Sequence, residues 1–360
     1  MKIAFIGDIA LIGKYDITKN PEAKNRLDVL ADKLKGYDYV IGNLESPLTE
    51  VNRTLVCKSM HLRSPLENVE LLKHLNIDAV SLANNHLFDY GRAGLEETVE
   101  ALERNNIAWF GVNKKNIITV IKGEKISISG YACYSTNGSG YGNKNRTSGI
   151  NPLTYESIEE QLEEDRKNSA YSILSFHWGD EHTNYPKYEH IELAKKLVNN
   201  KDVIIHGHHP HVIQGVQKFT NSIISYSLGN FIFDDCISIN GKFILKQNEQ
   251  NKKSFILEVE IENGTIIGTS FIGFRETIDG FEFFDIEKEL NEISTKLNQI
   301  SSIDEYENLR LMQINKVRKE KFGKRDFEWL MSRLNYYSIG ARITAITRKR
   351  RYHEISQKFK

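Results

Sequence analysis

Carboxylates, carboxamides and imidazoles recur in this chain where short apolar runs stop. Asp8 follows KIAFIG, Asn43 and Glu45 follow YVIG, Asn85 and His86 follow DAVSLAN, His177 follows SILSF, and His209 and His211 follow DVIIHG. Six of the eleven histidines (86, 177, 206, 208, 209 and 211) stand at or beside these run ends, more often than scatter would place them there. Oxygen and nitrogen donors of these kinds bind divalent cations, so the pattern predicts a metal site. Asp8, Glu45, Asn85, His177, His209 and His211 form a mixed set. It is too large for one tetrahedral ion and unlike the four Cys or His ligands that close a structural zinc site. Two divalent ions about 3.5–4 Å apart would use all six and leave positions open for substrate. Imidazole with carboxylate suits Mn, Fe or Zn and does not choose among them.

Donors from five remote segments meet only if the fold gathers the strand ends, as an open α/β sheet does at the carboxyl ends of its strands. The first 235 residues read that way. KIAFIG (2–7) is a short buried strand, 22–35 a helix, and YDYVIGN a second strand. Ser64-Pro65-Leu66-Glu67 predicts a helix start, with Ser64 as N-cap, Pro65 at the first helical position and Glu67 closing the capping box. DAVSLA (78–83) is a third strand and 92–105 a helix, followed by the strand IAWFG and a hairpin turning at Gly123-Glu124. The Gly-, Asn- and Ser-rich stretch 135–149 is long for an inert connection and predicts a mobile loop over a site. Helices near 155–168 and 187–200 then alternate with the strands SILSF and DVIIHG. VIQGVQKF and SIISYSLGNF read as a β-pair, and FILEVEIENGTIIGTSFIGF as a hairpin around Asn263-Gly264. From about 285 the chain is charged and helical; over 341–360 seven Lys/Arg face one Glu.

With 360 residues there is material for one large domain or two ordinary ones. The 48 basic and 48 acidic side chains cancel, which argues against a protein that clamps nucleic acid over a broad surface. No window of about 18 uninterrupted apolar residues is present to span a membrane. The three cysteines are widely spaced, which gives neither a disulfide framework nor a thiolate zinc site. The N-terminal apolar run is cut by Asp8 and lacks a small-residue cleavage site, so a cytoplasmic location is expected.

Six ordered blocks resemble the bacterial capsule-synthesis protein CapA family, associated with poly-gamma-glutamate capsules and similar to calcineurin-like metallophosphoesterases. They are Gly7-Asp8, Gly42–Leu48, Ala83–Gly91, His177–Glu181, Gly207–Val212 and Ser227–Phe231, within about residues 1–235. The resemblance implies an α/β fold, a four-layer αββα sandwich; the domain is read as 1–284, and the tail 285–360, which the resemblance does not cover, as a charged helical extension. It places Asp8 and His211 on a first metal, Glu45 as a bridge, and Asn85, His177 and His209 on a second. His86 would face the leaving group as general acid or charge stabiliser while activated water attacks phosphorus in line. Asn43, Asn84, Asp89, Glu181, His206, His208 and Asn230 would support the ligands or touch substrate. The chain departs from the phosphoesterase pattern at two positions. Ala10 stands where a histidine is usual, and Asn43 with Glu45 replaces the aspartate after the second strand.

Other patterns lead nowhere. Gly7 and Gly13-Lys14 are spaced one residue too widely for a phosphate-cradling loop, and Tyr15 stands where Ser or Thr would meet magnesium. The basic C-terminus reads first as a solvated face, with peripheral contact to an anionic membrane or polymer as the alternative. The expected activity is hydrolysis of a phosphoester, or of another ester or amide, in extracellular polymer metabolism. The substrate would be an anionic small molecule or polymer, and capsule-synthesis proteins the partners. Two rivals stand beside this: a non-catalytic accessory protein of a polymer-synthesis complex with a structural or vestigial metal site, and a nucleotide phosphodiesterase.

Overall fold

The computed structural model describes residues 1–142, 148–199, 201–239, 241, 244–322 and 327–359. The chain is a mixed α/β protein with two principal sheets. Its elements begin β1 (Lys2–Ile9), α1 (Asp28–Leu34), β2 (Tyr39–Leu44), α2 (Val69–His74), β3 (Ala79–Ser81), α3 (Gly91–Arg104) and β4 (Ala108–Phe110). They continue with β5 (Ile117–Ile121), β6 (Glu124–Ala132), α4 (Tyr155–Lys167), β7 (Tyr171–His177), α5 (Tyr188–Val198) and β8 (Val203–His208). Next come β9 (Val216–Lys218), β10 (Ile223–Ser225), β11 (Asn230–Ile232), β12 (Cys236–Ile237), β13 (Ile244–Leu245), β14 (Lys253–Glu262), β15 (Thr265–Glu276) and β16 (Phe281–Phe284). The helices α6 (Glu287–Asn298), α7 (Ile303–Phe322), α8 (Phe327–Ser332) and α9 (Tyr336–Ser356) follow.

One sheet runs β16-β15-β14-β1-β2-β3-β4, with β11 also paired to β1; the other runs β5-β6-β7-β8-β10-β9. The apolar runs sort by the two-residue period of a strand. In β1, Ile3 and Phe5 join a cluster with Ile126, Ile128, Ile173 and Ile204 of the second sheet. Ala4 and Ile6 point the other way, against Leu30, Leu34, Leu72 and Leu102 of α1 to α3. In the second sheet Leu174, Phe176 and Ile205 pack on Ile158, Leu162, Ile191 and Leu197 of α4 and α5. A strand apolar on every residue is thus a strand covered on both faces.

Several local expectations are corrected. The region 22–35 opens with short 3-10 turns at Pro21–Ala23 and Asn25–Leu27, and the α-helix starts only at Asp28. Ser64 does not cap the helix: its hydroxyl donates to the Leu11 carbonyl (2.8 Å) and meets Ser46 Oγ (2.7 Å). Pro65 stands at the cap position without a side-chain bond, because a buried tertiary acceptor has taken the hydroxyl. Asp8 lies inside β1 rather than past it. Residues 143–147 of the expected mobile loop lie outside the described residues. Its near flank is packed, with Tyr141 stacked on Tyr134 at 4.4 Å. No helix among the described residues is long and apolar enough to cross a membrane.

The C-terminal helices close onto the body. Leu290 and Leu297 of α6 are buried in the apolar clusters. The α7 residues Tyr306, Glu307, Arg310 and Gln313 hold the 180–188 segment. Along α9, the Tyr337 hydroxyl donates to the Thr54 carbonyl (3.0 Å), Arg348 Nη1 to the Thr136 carbonyl (2.7 Å), and Tyr352 to Glu189 (2.5 Å). Phe359 is fully buried beside α5.

Candidate metal centre

Strand pairing assembles the site. In β1, Asp8 stands in register with Asn43 of β2 on one side and Asn230 of β11 on the other. This three-strand contact needs a bare backbone at Gly7, where a Cβ would come within 2.0 Å of the Gly229 carbonyl oxygen. Asp8 N donates to that same carbonyl at 3.0 Å, so the residue that brings β11 close also aims the carboxylate. Past β2, Glu45 N donates to the Ile9 carbonyl (2.8 Å) and turns its side chain inward. In the second sheet His177 and His208 are register partners at the ends of β7 and β8. The chain then bends sharply: His209 and His211 take φ of 96° and 57°, left-handed backbone that histidine adopts only under tertiary constraint.

Two donor groups result, Glu45 with His177 and His209, and Asp8 with Glu45 and His211; within each group the donor atoms lie within 4.8 Å of one another. Both groups are buried and share Glu45. Glu45 Oε1 is 3.7 Å from His211 Nε2, and 3.9 Å from Nε2 of both His177 and His86. Asn85 Oδ1 is 2.9 Å from His177 Nε2, which adds a carboxamide to the first group. Asp8 Oδ2 is 3.5 Å from His211 Nδ1. Ligand atoms about 2.0–2.2 Å from a shared ion stand roughly 3–4 Å apart, which is the spacing found here.

The donors fit a cation on a second ground. Both Glu45 oxygens and His209 Nδ1 are buried with no hydrogen-bond partner among the described residues. An unsatisfied buried carboxylate costs more than a neutral polar group, and a positive ion at its oxygens removes that cost. Burial, then the charge of Asp8, pushes the Glu45 carboxyl well above the usual range. Burial acts on Asp8 in the same sense, but the close approach and charge of His208, then His211 and Asn43, hold it low. Burial drives His177 down and His209 to about 4, so both are neutral near pH 7, the form that ligates a metal. These buried acidic and imidazole groups could hold a metal ion; its identity is open.

The remaining expected residues divide by task. Asn43 Nδ2 donates to Asp8 Oδ1 (2.8 Å), His208 Nδ1 sits 3.2 Å from the same oxygen, and Asn230 Oδ1 is 2.9 Å from His211 Nδ1. These three orient donors. Asn84 shapes the loop: its Oδ1 accepts from the amides of His86 and Leu87, and its Nδ2 donates to the Leu44 carbonyl. His206 points away, bonding the Ile6 carbonyl between the sheets (2.9 Å). Glu181 is an exposed residue of the rim, 3.6 Å from His182. Ala10 is buried with Leu62, Phe233 and Cys236, so an apolar pocket stands where the related pattern has an imidazole.

His86 turns Nε2 toward Glu45 while its Nδ1 lies 2.5 Å from Asp89 Oδ2. Burial and the Lys58 charge lower its pKa to about 4. Lys58 was not apparent from sequence. Its buried ammonium donates to Asp89 Oδ1 (2.7 Å) and the Asn85 carbonyl (2.7 Å), and lies 3.1 Å from His86 Nδ1. Residues 51–60 carry no periodicity, and a lone lysine in polar sequence is expected in solvent. Trp178, the residue after His177, is fully enclosed, stacked at 5.0 Å on His190, with its indole N–H donating to the Tyr226 carbonyl.

A model of the family described as bacterial capsule synthesis protein PGA_cap matches residues 2–235. The chain is similar to the PGA biosynthesis protein CapA of Bacillus subtilis (strain 168), 31% identical over 242 residues, covering 65% of this chain and 63% of that one. It is similar to the capsule biosynthesis protein CapA of Bacillus anthracis, 32% identical over 213 residues, covering 56% and 52%. A probable polyglutamine synthesis accessory protein of Mycobacterium tuberculosis (strain CDC 1551 / Oshkosh) is 25% identical over 223 residues, covering 57% of each chain. The matched region spans between half and two-thirds of the length of these relatives.

Proposed function

Because the chain belongs to the PGA_cap family of bacterial capsule synthesis proteins, we propose that it is a dinuclear-metal-dependent hydrolase of phosphoester type in capsule or extracellular polymer biosynthesis. The observation that carries this reading is the pair of buried donor groups sharing Glu45, whose oxygens have no other partner. In this reading Asp8, Glu45 and His211 hold one ion, and Glu45, Asn85, His177 and His209 the other, the metal being Mn, Fe or Zn. Bound there, such ions neutralise charge developing on a phosphoryl group and lower the pKa of water. Asp89 accepts from Nδ1 of His86 and so leaves Nε2, the atom facing the centre, as an acceptor; it would take a proton released in the centre, the Asp89 carboxylate stabilising the imidazolium so formed, and then hand that proton to the departing oxygen. Lys58 charge-balances Asp89 and, through the Asn85 carbonyl, fixes the loop that carries both Asn85 and His86. Asn43 and His208 keep the Asp8 carboxylate ionised and aimed.

The proposal extends to the architecture and the surroundings. We read the two sheets and their flanking helices as a four-layer αββα sandwich of metallophosphoesterase type, supported by the three apolar clusters between successive layers. The body would end near 284, with 285–360 as an added helical unit. The substrate would be an anionic small molecule or polymer, and capsule-synthesis proteins the partners.

A second reading, a non-catalytic accessory role, is favoured by Ala10 in its apolar pocket and by the printed name of the mycobacterial relative. Chelator-stripped full-length protein titrated with manganese, iron or zinc against aryl phosphodiesters separates the two. Metal-dependent turnover that vanishes in His209→Ala and Asn85→Ala supports the hydrolase. Tight metal binding with no ester cleaved under any ion refutes it in favour of the accessory role. Cleavage confined to cyclic or linear dinucleotides would move the protein to nucleotide signalling.

A further inference from the structure

Beside the donor groups lies a cleft of about 190 Å³ into which His209, Glu181 and His182 face from the body. Its opposite wall is not supplied by residues 2–235 at all. It is made by Ile314, Val317 and Arg318, successive positions on one face of α7. The preceding two turns of the same face fasten the helix there. The Tyr306 hydroxyl donates to the Pro186 carbonyl (2.8 Å), Glu307 Oε1 accepts from Tyr188 N (3.1 Å), and Arg310 pairs with Asp180. Gln313 accepts from Thr183 Oγ1 (2.8 Å) and Asn184 N (3.0 Å). Every polar side chain of that face is thus committed until the cleft is reached, where Arg318 is exposed and makes no ion pair or hydrogen bond with any described residue. Of the two acids that line the same cleft, Asp180 is held by Arg310 and Glu181 lies 3.6 Å from His182.

We propose that α7 completes the substrate cleft of the metal centre and that Arg318 is a specificity-determining residue, binding an anionic group of the substrate remote from the bond that reacts. This rests on the metal-centre reading given above. A guanidinium presents paired N–H donors that match a carboxylate or a phosphate, and its charge is retained at any working pH. One anionic group of the ligand would lie at the ions beside His209, and a second at Arg318. The preferred substrate class is therefore doubly anionic, which selects against neutral esters and single anions.

The test is calorimetric binding to the manganese-loaded full chain, comparing acetate with the two-headed anions glutarate and phosphonoacetate, which separate carboxylate from phosphate-type recognition at the second position. The unaltered protein is expected to prefer at least one two-headed anion over acetate by roughly tenfold or more, and Arg318→Gln to abolish that preference. Arg318→Lys, which keeps the charge without the fork, should restore part of it. Arg318 is exposed, so unchanged thermal unfolding of the variants is the folding control. Equal binding of acetate and both two-headed anions by the unaltered chain overturns the proposal, as does a preference that survives in Arg318→Gln. A preference that depends on Arg318 in a protein that cleaves no ester refutes hydrolysis and leaves the cleft assignment standing.

Discussion

Glu45→Gln separates a metal ligand from a structural carboxylate. Both Glu45 oxygens are buried without a partner, and burial raises its pKa, so in the metal-free protein the side chain is a liability to the fold. Near neutral pH the Glu45 carboxyl must either stay ionised without a partner or take up a proton on folding, a cost of about 1–3 kcal/mol that the always-neutral amide does not carry. Unfolding entropy near 2.1 cal/mol/K per residue, taken over 360 residues, gives about 0.75 kcal/mol per degree. The metal-free variant should therefore melt about 1–4 °C above the metal-free parent. With metal the order reverses. A ligand at a hundred times its Kd stabilises by about 2.7 kcal/mol, or roughly 3–4 °C for a chain of this size. The parent gains that increment and Glu45→Gln does not. Scanning calorimetry of chelator-stripped protein, with and without manganese or zinc, reads both shifts. A variant that keeps the metal-induced rise, or whose metal-free form melts several degrees below the parent, would refute the account, since Glu45 would then be serving the fold.

Lys58→Met strands Asp89 in a fully buried site and should cost about 3–5 kcal/mol in urea denaturation; Lys58→Met with Asp89→Asn should recover much of it. Burial depresses His190 to about 3, so between that value and about 6.5 the unfolded state holds a proton the folded state lacks. Stability present above pH 6.5 is accordingly lost as pH falls through that window, and His190→Asn should flatten the slope by up to one proton, about 1.4 kcal/mol per pH unit. Arg310→Met frees α7 from Asp180, which is partly exposed, so the global loss should be modest, about 1–2 kcal/mol. The diagnostic change is faster amide exchange across 306–318. Gly7→Ala drives a methyl into the Gly229 carbonyl and should abolish metal binding, checked by elemental analysis of whatever soluble protein is recovered.

Most of the sheet framework was legible because it obeys simple periods. Buried strands such as β1 and β7 are apolar on both faces, and their ends carry the residue types that water or ions must satisfy. That Asp8, Asn85, His177 and His209 come together was legible for the same reason, since polar side chains where apolar runs stop are gathered at one rim of the sheets. Tertiary choices were not. Ser64 has the local signature of a cap, yet the buried carbonyl of Leu11, 53 residues away in sequence, wins its proton through packing alone. Lys58 looks like a solvent lysine until Asp89 is placed beside it. The role of α7 is invisible in its polar sequence, because its working face is defined by what the 180–188 segment offers it. Asp8 proved interior to β1 because β11, more than two hundred residues later, extends the pairing.

The enclosed Trp178 gives the site its own lamp. Its indole is shielded from water, held flat against His190 and bonded to Tyr226, and it directly follows His177 in the chain. Shielded from water, so rigid a ring emits to the blue, and a paramagnetic ion held by its chain neighbour His177 is expected to dim it more than closed-shell zinc would. Loading of the cavity should then be readable without a label, as a change in the Trp178 emission that Trp178→Phe removes while the chain's two other tryptophans keep theirs.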